Sequence, residues 1–307
     1  IQSCLQGKFE QVNPLKLKMQ SSEGTISLNG IIHRSAQDKL ILELEPLESL
    51  EIKSFFHFYQ LTRGTLSRIQ QTTTLQELCA LIVDEVRTLT GFDRVMVYQF
   101  DADGAGTVIA EQKIDDIESY LGLHYPSSDI PQQAKHLYSL NWLRLIPDVD
   151  YSPVKLLTLD TIAPETESPS SPQPASEPPL DLSFSVLRSV SPIHIEYLKN
   201  MGVQASMSIS LMKQGKLWGL IACHHYTPRF IPYETRAIGE FLGQVTSLEI
   251  AAKEDNENLD YKVKLRSLQS QFVDAMTHAE AFPDALLVET SRLLNVVGAE
   301  GAAICTN

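Results

Sequence analysis

The chain is predicted to be α+β: an antiparallel sheet with flanking helices, preceded by a small β-rich portion and followed by a long connector helix. Three observations predict this. Alternating apolar runs occur in pairs around short polar turns, as in "TISLNGIIHRSAQDKLILELEP" and "ASMSISLMKQGKLWGLIACHHY", which is the pattern of antiparallel strands. Segments of helical period stand between such pairs. A helical signal then runs from Tyr233 to about Glu280.

Taken in order, residues 1–47 read as the C-terminal part of a small β-rich domain, with Pro46 interrupting its last strand. Residues 48–69, in "LESLEIKSFFHFYQLTRGTLSRIQQ", read as a linker helix. In "TTTLQELCALIVDEVRTLTG", Leu75, Leu78, Leu81, Ile82 and Val86 fall at helical spacing, and Gly91 suits the C-cap. "RVMVYQFDADGAGTVIAEQK" reads as strand, turn and strand. Residues 151–180 contain "APETESPSSPQPASEPP", a composition that cannot bury apolar surface. Apolar chain resumes on both sides, so the stretch reads as a loop insertion. In the last long helix, residues 233–280, Ile238, Leu242, Val245 and Leu248 are expected to share one face, with Leu259, Val263 and Phe272 continuing the apolar pattern. A helix of roughly 45 residues spans about 70 Å. A small domain has no internal use for that length, so a connector or a dimer seam is expected. Residues 281–307 read as the start of another domain, and the opening "IQSCLQGKFEQ", without an initiator methionine, reads as part of something longer.

Composition narrows the function. A net charge of −13 argues against a nucleic-acid-binding surface, which needs a basic patch. The longest apolar runs, roughly seven residues, are too short to span a bilayer, and no signal-peptide pattern opens the chain. Cys4, Cys79, Cys223 and Cys305 are far apart and show no CxxC spacing, so neither a zinc site nor a disulfide framework is expected, and the reducing cytoplasm is the expected compartment. There is no GxSxG, HExxH or P-loop motif. The chain is read as non-enzymatic, and any kinase output would lie beyond Asn307.

Several residues could carry chemistry. In "LHYPSSDIPQQAKHLY", Asp129 could be an N-cap and Pro131 a first-turn residue. No second carboxylate or nucleophile is placed for catalysis. In the strand "LIACHHY", His224 and His225 point to opposite faces, which disfavours a shared metal ion. Arg144 and Arg188 each sit among apolar residues. Each is either in a structural salt bridge with one of 38 acidic residues or a bidentate clamp on ligand carboxylates. His194, in "SPIHIEYLKNMGV", is either satisfied by a neighbour or faces a ligand. Two histidines, two arginines, tyrosines and serines would suit a large, flat, conjugated ligand with acidic side arms.

"TGFDRVMVYQFD", "YLGLHYPSSDIP", "LRSVSPIHIEYLKNMGV" and "LWGLIACHHYTP" together closely resemble the chromophore-binding GAF domain of phytochromes, over roughly residues 70–250. Residues 1–47 resemble the end of the phytochrome PAS domain, and the long helix with residues 281–307 resembles the entry to the PHY domain. The resemblance implies a linear tetrapyrrole (bilin), red/far-red photochemistry, and signalling by bilin isomerisation through the long helix to a downstream output. It places the Asp129 carbonyl against the pyrrole N–H groups, Ile130 and Pro131 on the bilin face, and His194 at the pyrrole nitrogens. It places His224 on the ring D carbonyl, with Tyr98, Tyr125, Tyr197 and Met96 around ring D. Arg144, Arg188, Ser206, Ser208 and Tyr138 become propionate clamps. Plant-type members carry the attachment cysteine where Ile193 stands. Ile193 therefore matches the bacteriophytochrome type, which uses biliverdin and a cysteine ahead of the PAS core. That role is not carried onto Cys4, and Cys223 is expected to point away from the pocket. The implied partners are the bilin, a second copy through the long helix, and a downstream kinase or response regulator. The alternative is a non-photosensory GAF module binding a small ligand such as a cyclic nucleotide.

Overall fold

The computed structural model describes residues 12–22, 24–47, 55–157 and 180–278, with isolated positions at 294, 299–301, 303 and 305; for residues 55–61 it describes the backbone only. Cys4, the start of the linker, residues 158–179 of the Pro/Ser-rich stretch and most of residues 281–307 lie outside the described residues.

The first portion is a three-stranded antiparallel sheet of β1 (Leu15–Ser21), β2 (Gly24–Arg34) and β3 (Leu40–Pro46), in that order. β2 and β3 are the hairpin expected from the sequence, and β1 extends it. β3 inverts the usual alternation. Its apolar residues Leu40, Leu42 and Leu44 are exposed, while Glu43 and Glu45 are buried. Buried carboxylates need donors, and both have them. Glu45 pairs with buried Arg236, and Glu43 accepts the backbone N–H groups of Val186 and Leu187.

Two helices follow, α1 (Phe55–Gln71) and α2 (Leu75–Thr90). A capping box opens α2: the Thr74 hydroxyl accepts from the Glu77 N–H, and the Glu77 carboxylate accepts from the Thr74 N–H. Such a cap is worth about 1 kcal/mol. Gly91 closes the helix at φ 67°, a left-handed position that favours glycine. Leu78, Ile82 and Val86 are fully buried where α2 packs against the main sheet.

The main sheet has six antiparallel strands: β4 (Arg94–Phe100), β5 (Gly106–Lys113), β6 (His124–Tyr125), β7 (Leu143–Ile146), β8 (Ala205–Lys213) and β9 (Lys216–His225), in the order β6-β5-β4-β9-β8-β7. Short helices α3 (Gln132–Leu140) and α4 (Pro192–Asn200) flank β7 in sequence, and α5 (Tyr233–His278) follows β9. Side chains alternate across a strand, and here the alternation separates core from site. Val95, Cys223 and Met207, aligned on neighbouring strands, are buried on one face. On that face α5 lies close to β8, since a Cβ added at Gly243 would meet Ile209 at 2.5 Å. The next register row, Met96, Ala222 and Ser208, faces the opposite way into a cavity.

α5 matches the expected long helix. Ile238 and Leu242 are buried as expected, but Leu248 is 74% exposed and Thr246 takes the inward place. The reason is angular. At 3.6 residues per turn, Thr246 lies about 40° round the helix from buried Leu242, whereas Leu248 lies about 120° from it. The chain divides into two compact units, Ile1–Glu249 and Ile250–Asn307. In the second, Leu259 and Val263 are exposed.

Candidate ligand cavity

A cavity of about 690 Å³ lies over the sheet face that carries Met96 and Ser208. Binding cavities for cofactor-sized ligands fall in this range. All fourteen residues singled out in the sequence line it: Met96, Tyr98, Tyr125, Asp129, Ile130, Pro131, Tyr138, Arg144, Arg188, His194, Tyr197, Ser206, Ser208 and His224.

Local structure explains the convergence. β4 contributes Met96 and Tyr98, β9 contributes His224, and β8 contributes Ser206 and Ser208, all at spacings of two along their strands or in register across them. On α4, His194, Tyr197 and Leu198, with Met201 at its C-cap, recur at helical spacing and face the cavity. Ile193, one step round that helix, lies at the rim and is 80% exposed.

One end of the cavity is aromatic. The Tyr98 ring meets Tyr125 at 5.8 Å and Phe100 at 5.3 Å. Gly106 makes this possible, because a Cβ there would sit 2.1 Å from the Tyr98 ring. Burial pushes the Tyr98 phenol up to about 12, with the charge of Asp129 adding to it. Tyr197 donates to Asp129 Oδ2 at 3.3 Å, and burial raises its phenol too. Asp129 is not the N-cap of α3. The cap is Pro131, without a side-chain bond, and the Asp129 N–H donates to Pro126 O at 3.1 Å in the preceding turn. Pro131 fixes the helix start two residues too late for the Asp129 carboxylate to reach it, leaving that carboxylate for Tyr197.

The histidines separate as expected. His224 is buried, and burial, with the charges of Arg94 and His194, holds it at about 3, so it is neutral. Its Nδ1 is buried with no hydrogen-bond partner. His194 is held below the usual histidine value by burial. Its ring lies nearly parallel to that of Tyr197 at 6.4 Å, with no hydrogen bond to it among the described residues. His225, on the other face, sits 2.8 Å from Asp93 Oδ2. Cys223 is buried on the core face, where burial raises its thiol, and does not line the cavity.

The salt-bridge reading of the arginines is not what the structure holds. Arg144 donates to Ser208 Oγ at 2.8 and 3.1 Å, to Ser210 Oγ at 2.5 Å and to Asn141 O at 2.7 Å. Its guanidinium lies 4.1 Å from the Tyr138 ring centre. Burial, opposed by Tyr138 and helped by the charge of Arg188, lowers its pKa to about 10. Arg188 has a buried Nε with no partner. Neither arginine pairs with a carboxylate among the described residues. Two cations are thus held near one another beside a cavity, with donors left for anions.

Sequence reasoning missed Ser210 and Asn141, which orient Arg144. The spacing of Ser206 and Ser208 pointed to Ser210. It also missed Arg94, buried at the start of β4 in register with His224 on the same sheet face, which pairs with Glu111 at 2.9 Å and stacks 3.5 Å over the Tyr120 ring. Strand alternation gives no warning of a charged residue facing inward. Among the described residues there is no group of three or more His, Cys, Asp or Glu able to hold a metal ion, and no helix long and apolar enough to cross a membrane.

Fold and cavity define a ligand-binding domain of antiparallel sheet and flanking helices, and the GAF domain family matches it over residues 74–250. The chain is 50% identical over its whole length to cyanobacterial phytochrome B of a Nostoc species, of which it spans 39%. Among solved structures, it resembles the photosensory core module of Stigmatella aurantiaca phytochrome at TM-score 0.76 and 49% identity, covering 95% of this chain and 55% of that one. It resembles the chromophore-binding domain of Stigmatella aurantiaca phytochrome P1 at TM-score 0.70 and 52% identity, covering 78% and 75%. The chain belongs to the phytochrome family.

Proposed function

We propose that this chain is a light-sensing module that binds a linear tetrapyrrole, with biliverdin as the bilin, and signals through its isomerisation and α5 to an output outside this chain. The observation that carries the reading is the pair of arginines without carboxylate partners, in the same cavity as two uncharged histidines and an aromatic cage. A bilin supplies an extended conjugated system with two propionates and four ring nitrogens. Arg144, preset by Ser208, Ser210 and Asn141, takes one propionate, and Arg188 takes the other with Ser206 close by. Asp129 and His194 offer acceptors for pyrrole N–H groups, and neutral His224 hydrogen-bonds the terminal ring carbonyl. Tyr98, Tyr125 and Tyr197 pack around that ring and leave it room to turn.

Ile193 supports biliverdin, since the plant-type attachment cysteine is not at that position. The chain carries no catalytic role in this reading. Dimerisation through the exposed apolar residues of α5, a downstream kinase or response regulator, and a cytoplasmic location belong to the same proposal. The test is co-expression with a biliverdin source, with absorption spectra before and after red light. A red band that converts under red light is expected. A colourless protein that instead binds cyclic nucleotides refutes the reading.

A further inference from the structure

The cavity segment that carries Arg188 belongs to no strand or helix of the described residues. Something else must hold it, and a carboxylate on a different sheet holds the two residues just before Arg188. Glu43 of β3 is 7% exposed. Its Oε1 accepts from Val186 N–H at 3.1 Å and lies 3.3 Å from His33 Nε2; its Oε2 accepts from Leu187 N–H at 2.7 Å. Two consecutive N–H groups held by one carboxylate fix the peptide that leads directly into Arg188. Burial pushes the Glu43 carboxyl up, but the hydrogen bonds from His33, Leu187 and Val186 outweigh it and hold it below the usual range, so the acceptor is charged. Two further contacts tether the same stretch: Ser185 Oγ lies 3.3 Å from His33 Nε2, and Val190 N–H donates to Tyr151 Oη at 2.9 Å. Among the described residues, Glu43 is the one whose side chain is bonded to the residues immediately before Arg188.

We propose that Glu43 is a positioning residue for carboxylate recognition, holding residues 186–187 so that the Arg188 guanidinium faces an acidic side arm of the ligand. The inference rests on the bilin reading and deepens it, because it makes the three-stranded sheet part of the machinery that selects a dicarboxylate. A positioning role acts only through the ligand's charge, whereas a loosened fold affects every ligand alike.

The test compares biliverdin with its dimethyl ester, which has the same conjugated system and no carboxylate charge, on the full chain. Glu43→Gln should bind biliverdin about tenfold more weakly, the loss of one charge-assisted hydrogen bond. Its affinity for the ester should stay within about twofold of wild type. In an Arg188→Ala background, Glu43→Gln should add no further loss. Glu43→Asp keeps the charge but cannot span both N–H groups; it should show the same selectivity at smaller size, and it carries the test if Glu43→Gln does not fold. Equal weakening of biliverdin and ester, or additive losses in the double variant, overturns the inference alone. A wild-type chain that takes up neither compound overturns the bilin reading and this inference together.

Discussion

Replacing Arg144 with methionine is expected to weaken biliverdin binding by about 100-fold. The magnitude follows from the burial of the guanidinium. Burial, helped by the charge of Arg188 and opposed by Tyr138, lowers the guanidinium from 12.5 to about 10. A shift of that size corresponds to about 3 kcal/mol. The charged form is the disfavoured one, so this penalty is fully present below pH 10, and therefore at neutral pH. A ligand carboxylate against Arg144 relieves it. Methionine has similar length and no charge to relieve, so the variant forfeits about 3 kcal/mol of binding, which is about 100-fold. The assay is a titration of the apoprotein with biliverdin, followed by the rise of its red band, with the dimethyl ester in parallel. The ester, which has no charge to offer, should lose far less. Arg144→Lys keeps the charge without the planar fork and should fall between. A variant within about threefold of wild type for biliverdin would refute the reasoning, as would an equal loss for the ester.

Three further outcomes are expected. In Gly106→Ala the new Cβ overlaps the Tyr98 ring, which must move into the cavity; the red band should shift or disappear, and the melting temperature should fall by several degrees, as for a loss of about 1–3 kcal/mol from overpacking. The folded pKa of His224, about 3, lies below its ordinary 6.5, so the unfolded chain binds the extra proton between these values. Stability from this group is complete above pH 6.5 and is lost as pH falls toward 3; His224→Gln should flatten the acid limb of the stability curve by up to about 1.4 kcal/mol per pH unit, measured by denaturant unfolding. Ile193 lies at the cavity rim and is 80% exposed. In Ile193→Cys co-expressed with phycocyanobilin the pigment should stay on the denatured chain in a zinc-fluorescence gel, whereas wild type should release it.

Much of the fold was legible in the sequence. Alternation marked β2, β3, β4, β5, β8 and β9, and helical period with Gly91 marked α2 and its end. β6 has two residues and β7 four, too short for alternation to show. Leu248 was misplaced because equal-looking spacings of three and four accumulate into an angular drift. Local pattern offered Asp129 as a cap because it cannot see Tyr197, 68 residues away.

What the sequence by itself determined were the residue types and their local faces: His224 opposite His225, and Ser206 in step with Ser208. These depend on backbone period alone, which is local. Whether Arg144 and Arg188 meet carboxylates of the chain depended on which strands and loops come together, and only the tertiary structure showed that among the described residues they do not. Arg144 meets hydroxyls from β8, and the stretch before Arg188 is held by Glu43 from β3. The charge of a buried group is set by everything around it, and those neighbours lie 64 and 144 positions away along the chain.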